Sequence, residues 1–184
     1  FRVRPMLAIA GALAFGLSSY MIIGMAAGHN GRIGSIAFMP LVMAGIHLAF
    51  SNKRILGFAV TSLGLALHLR ENHLQITYYL LLIVLIYGLV HLVIAVREKA
   101  LVPFFKSLGI LIPAAILAIG TFIGPLWAIA EYSQYSIRGK SELTSKSESS
   151  GLSRDYAFAY SSGMLETMTM IIPNFYGGSS GNYL

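Results

Sequence analysis

Between residues 70 and 75 the chain sets a guanidinium, a carboxylate, two amides and an imidazole almost side by side: Arg70, Glu71, Asn72, His73 and Gln75. Long apolar runs flank this polar stretch. Ionisable groups in such a setting are costly unless they serve a site, so chemistry is expected here first. Arg70 supplies a permanently charged, two-pronged donor suited to phosphate. A second arginine, Arg32, stands in a similar setting beside His29 and Asn30, at the head of another apolar run. An arginine next to a helix start, where N–H groups are unpaired, is a ready anion site. The plainer reading of both arginines is anchoring to lipid headgroups.

Glu71, His73 and His68 could also act as base, acid or metal ligand. The cofactor expectation is therefore limited to a divalent metal, Mg or Mn, and a hydrogen-bonded helix end explains the same residues more simply. His47 and His91, inside apolar runs, read as packing histidines rather than a proton relay. Towards the C-terminus come Glu131, Arg138, Lys140, Arg154, Asp155 and Glu166 among many Ser and Tyr. That mixture suits carbohydrate, and equally a solvated loop. No Walker loop, His-Glu-x-x-His or Gly-x-Ser-x-Gly motif occurs.

The elements that must position these groups follow from composition. Hydrophobic residues make up 56% and charged residues 11% of the 184, whereas soluble domains carry about 25% charged residues. This is an integral membrane protein. Lys and Arg outnumber Asp and Glu by 13 to 7, and they flank apolar runs, which points to membrane orientation and not to nucleic acid. Cysteine is absent, which excludes disulfides and thiolate metal sites. The chain opens on Phe1 and Arg2 without a Met and stops in a Gly/Ser stretch; it reads as a piece of a longer protein.

The expected fold is all-α, a polytopic transmembrane helix bundle over 1–130 followed by an extracytoplasmic polar loop region over 131–184. About five spans are expected, near 5–28, 33–52, 55–69, 72–96 and 107–130, with a short amphipathic interfacial helix at 164–172. Small residues at four-residue spacing in the first run, among them Ala8 and Ala12, predict a helix internal to the bundle. The third run would be about 22 Å long as a helix, short for a hydrocarbon core of about 30 Å, so Arg54 and Arg70 would have to snorkel. Asn72 and Gln75 have N-cap and N3 spacing, which starts the fourth helix at Asn72. The stretch 97–106, containing Pro103, reads as a connector.

Cations on the successive flanks and loops number 2, 1, 2, 1 and 3. This alternation puts the N-terminal flank in the cytoplasm, and the His29 loop, the Arg70 loop and the tail outside. Of the 7 acids all but Glu98 fall on that outer side.

Four stretches carry a resemblance: 27–33, 71–80, 131–144, and 151–157 followed by 164–178. In this order they resemble the YfhO-like bacterial membrane proteins, especially those of Bacteroidota, which have a GT-C-type glycosyltransferase architecture. The resemblance implies a multi-pass enzyme of the bacterial inner (cytoplasmic) membrane. Such an enzyme takes sugar from a polyprenyl-phosphate donor and passes it to a surface glycan, polymer or lipid acceptor. Arg70 and Arg32 would hold phosphate, His29 and His73 would contact phosphate or sugar, and Glu71 and Glu131 would order them. Asn30, Asn72, Gln75 and Arg138 complete the expected binding set. The family's key acid lies in the first extracytoplasmic loop. This chain has no acid before Glu71, so the catalytic acid is expected upstream; within the chain Glu71, Glu131, Asp155 and Glu166 are the candidates. Two other classes stand beside this one. A transporter or flippase would show inverted repeats and mid-span charges, and neither is visible; a non-catalytic scaffold subunit is the third.

Overall fold

The structure, a computed structural model, describes residues 3–133 together with 168 and 175. The interfacial helix expected at 164–172 lies outside the described residues, Met168 apart. From residue 3 to 133 the regular elements are all α-helices: α1 (Pro5–Gly16), α2 (Ser19–Ala26), α3 (Asn30–Phe50), α4 (Arg54–Arg70), α5 (Leu74–Arg97), α6 (Leu101–Thr121) and α7 (Ile123–Ser133). The chain divides into two compact units, Phe1–Leu126 and Trp127–Leu184. The second is described mainly through the end of α7, where Trp127 and Tyr132 are exposed.

Pro5–Ala26, Asn30–Phe50, Leu74–Arg97 and Leu101–Thr121 are each long and apolar enough to cross a membrane. The fold is therefore an all-α, multi-pass bundle. α4, with 17 residues, differs: it buries Gly57, Thr61, Ser62, Gly64, His68 and Leu69 and packs chiefly against α3 and α6. A helix with one side packed on two others needs less of the length and apolar surface that lipid demands, although Ile55, Leu56 and Leu63 stay exposed. This accounts for the shortness of the third run.

α3 and α4 form an antiparallel pair in a register that the glycines make possible. A β-carbon on Gly45 would meet the Thr61 backbone, one on Gly57 the Ala49 backbone, and one on Gly64 Leu41 and Val42. Further along the same seam Ser35 faces His68 and Gly34 faces Glu71. On α4 the contact positions Gly57, Thr61, Gly64 and His68 alternate four and three residues apart, the spacing of a coiled-coil seam. In lipid, such close backbone packing takes the place of a hydrophobic driving force. Ser107 ties α6 to α3 by donating its hydroxyl to the Ala49 carbonyl at 2.8 Å. Val42, Ile46 and Leu80 form the small apolar core beside the seam.

The expectation of an internal first helix is corrected. α1 buries no residue, and nothing lies within 4 Å of a β-carbon on Gly11 or Gly16. Four-residue spacing of small residues permits a close approach but does not select the helix that makes one. The first run is also two helices, separated at Leu17 and Ser18, next to Gly16 and Ser19, which are weak helix formers.

One device joins the helices of the bundle. The links Ala27-Gly28-His29, Ser51-Asn52-Lys53, Glu71-Asn72-His73 and Glu98-Lys99-Ala100 each close one helix with their first residue and cap the next with their last. The middle residue has a positive φ: 77° at Gly28, 65° at Asn52, 54° at Asn72 and 55° at Lys99. In three links the last N–H turns back onto the preceding helix, from His29 to Gly24 O at 2.9 Å, Lys53 to Leu48 O at 3.0 Å and Ala100 to Ala95 O at 2.8 Å. This is the Schellman closure.

Two boundaries differ from the sequence reading for this reason. Asn72 is the left-handed residue of its link, His73 caps α5, and Gln75 donates to the Tyr79 hydroxyl at 2.8 Å. α6 starts at Leu101, which takes Pro103 and Lys106 into the helix. Pro103 forfeits no hydrogen bond there, because first-turn N–H groups have no intrahelical acceptor.

Candidate functional site

α3 and α5 begin at the same end of the bundle, the end marked by His29 and His73. Neither N-cap makes a side-chain hydrogen bond. The first N–H to close onto α3 is that of Ile33, bonded to His29 O at 3.1 Å; on α5 it is that of Ile76, bonded to His73 O at 3.0 Å. The N–H groups of Asn30, Gly31 and Arg32, and of Leu74 and Gln75, precede these and have no intrahelical acceptor. Two sets of donors, each at the positive end of a helix dipole, thus open on the same end.

Contacts at Glu71 bring the two starts together. Its carbonyl oxygen lies 2.8 Å from the β-carbon position of Gly31, and its carboxylate presses on Gly34. Gly31 and Gly34 share a face of the first turn of α3, which forms a shelf for the α4–α5 link. The first turn of α3, which carries Asn30 and Arg32, is thereby brought against the link that carries Glu71 and Asn72. Arg32, Glu71 and His73 are half-buried, whereas His29, Asn30, Arg70, Asn72 and Gln75 are exposed. The Glu71 carboxylate lies against α3 at Gly34. The Nδ1 of His73 is buried without a hydrogen-bond partner.

His68 occupies a different environment from the rest. It is fully buried, with Nδ1 2.9 Å from the Ser35 carbonyl and Nε2 3.1 Å from the Thr77 hydroxyl. Both nitrogens are engaged, so His68 is no ligand in waiting. Among the described residues no three His, Asp or Glu side chains converge to hold a metal. His68, Glu71 and His73 form no such group. Thr77 is the residue that sequence reasoning missed; its only signal was a hydroxyl one helical turn past His73.

Glu131 lies exposed on α7, in the second unit. Arg138, Asp155 and Glu166 lie outside the described residues. At the opposite end of the bundle the ring of His47 meets the Tyr87 hydroxyl at 2.7 Å through Nδ1, and His91 stacks on Phe50 with centroids 4.5 Å apart.

Unpaired N–H groups at helix starts, with arginines nearby, are the chemistry that suits an anion. Arg32 and Arg70 belong to the same end as two helix starts with unpaired N–H groups, beside the half-buried Glu71. No family model, curated protein or solved structure matches the chain.

Proposed function

We propose that this chain is part of a membrane glycosyltransferase that takes a sugar from a polyprenyl-phosphate carrier, and that the His29 end of the bundle holds the carrier phosphate. In this reading the site opens on the extracytoplasmic face of the bacterial inner membrane, and the acceptor is a surface glycan, polymer or lipid. The observation that carries it is the meeting of two uncapped helix starts with Arg32 and Arg70 beside them. Phosphate needs several converging N–H donors and positive charge at once. Arg32, half-buried, gives charge-assisted bonds that water screens less; Arg70, exposed, is free to close over an arriving headgroup. Sugar transfer itself enters from the resemblance of the four stretches to YfhO-like proteins.

Binding of a polyprenyl-phosphate sugar to the purified full-length protein tests the reading. Arg70→Ala and Arg70→Lys should both weaken binding, because Lys keeps the charge but loses the fork. A charge-assisted hydrogen bond is worth roughly 1.5–3 kcal/mol, or about one to two decades in affinity. Unchanged affinity in both variants, with the fold intact, would leave Arg70 as a headgroup anchor.

A further inference from the structure

We infer that His68 is a positioning residue that sets the spacing between the two helix starts of the proposed phosphate site. The inference rests on that reading of the site. His68 lies on α4 at 0% exposure and touches the helices on both sides of it. The Ser35 carbonyl on α3 can only accept, so Nδ1 carries the ring proton; Nε2 of the neutral ring then accepts from the Thr77 hydroxyl on α5. The other acceptor within reach of Thr77, the His73 carbonyl, is more distant at 3.4 Å. Ser35 lies in the second turn of α3 and Thr77 at the end of the first turn of α5.

A single flat ring is thus a crosspiece between two helices that no link joins. It fixes how far the N–H groups of Asn30, Gly31 and Arg32 stand from those of Leu74 and Gln75. Simple space-filling would be served by an aliphatic side chain such as the neighbouring Leu69. An imidazole bonded at both nitrogens adds direction, and in a low-dielectric interior those bonds hold firmly.

The test uses the full-length protein in detergent and reads two quantities. The first is the distance between spin labels on cysteines placed at Asn30 and Gln75, both exposed. The second is the affinity of the unlabelled protein for a polyprenyl monophosphate. Thr77→Val removes the hydroxyl at nearly constant shape, Thr77→Ser keeps it, and His68→Asn keeps only the Nδ1-like donor. Thr77→Val and His68→Asn should shift or broaden the distance and weaken binding about tenfold, the scale of one lost hydrogen bond. Thr77→Ser should leave both quantities as in the wild type. Distances unchanged in Thr77→Val and His68→Asn would overturn the crosspiece whether or not the probe binds. Distances that shift while affinity holds would overturn its role in the site. Failure of the wild type to bind the probe would overturn the phosphate reading itself, and the role of His68 in it.

Discussion

The carboxylate of Glu71 fills the space that a β-carbon on Gly34 would need, and its carbonyl does the same at Gly31. The two glycines differ in what an added methyl would displace. At Gly34 the obstacle is a flexible side chain; at Gly31 it is backbone.

Gly34→Ala should therefore destabilise the bundle by about 1–3 kcal/mol through overpacking, less about 1 kcal/mol gained in helix propensity. Adding Glu71→Ala should remove most of the cost. Gly31→Ala should stay costly in the Glu71→Ala background. Thermal unfolding in detergent, arranged as a double-mutant cycle, reads the difference. Equal coupling for both glycines would show that the side chain of Glu71 is not what Gly34 accommodates.

A second contrast lies between the seam and the outer surface. Gly45→Ala and Gly57→Ala each drive a β-carbon into the backbone of the facing helix, while Gly88 on α5 has nothing within 4 Å. Both seam variants should lose more than about 2 kcal/mol or fail to fold. Gly88→Ala should be neutral or stabilising by up to about 1 kcal/mol. Similar yields and melting points for all three would contradict the α3–α4 register.

Lys99 holds a left-handed backbone conformation, φ 55°, without the licence that glycine has. Lys99→Gly should raise stability by up to about 1 kcal/mol. Asn52→Gly should gain less, since Asn tolerates that region better than Lys. A lower melting point for Lys99→Gly would show that its side chain contributes more than its backbone costs.

Single cysteines at His29 and His73 should react with an impermeant maleimide from one side of the membrane, and cysteines at Lys53 and Glu98 from the other. In intact spheroplasts the His29 pair should label, following the cation alternation. Labelling that splits either pair would contradict the bundle. Reversed labelling with both pairs kept would leave the bundle standing and put the proposed site in the cytoplasm.

The helices were legible where hydrophobic runs were long, because apolar content alone defines them. The seam was not. Gly45, Gly57 and Gly64 look like weak points in a helix, and their value appears only when the facing backbone is present. The small residues of α1, spaced just as well, are all exposed. Apolar runs also misplaced the start of α6: Lys106 interrupts the run but not the helix. At the candidate site, the clustering of Arg70, Glu71 and His73 was visible in one line of sequence. The approach of Arg32 and His29 depends on the antiparallel fold of α3 on α4. The role of Thr77 depends on a histidine nine residues earlier turning inward, which no local pattern encodes.

The brevity of the links ties rotation to sequence. Only one residue, Gly28, Asn52, Asn72 or Lys99, stands between the cap that closes one helix and the cap that opens the next, which leaves little slack for a helix to turn about its own axis. One residue inserted inside the first turn of α5, ahead of Thr77, would turn Thr77 by about 100° around the helix axis, away from His68.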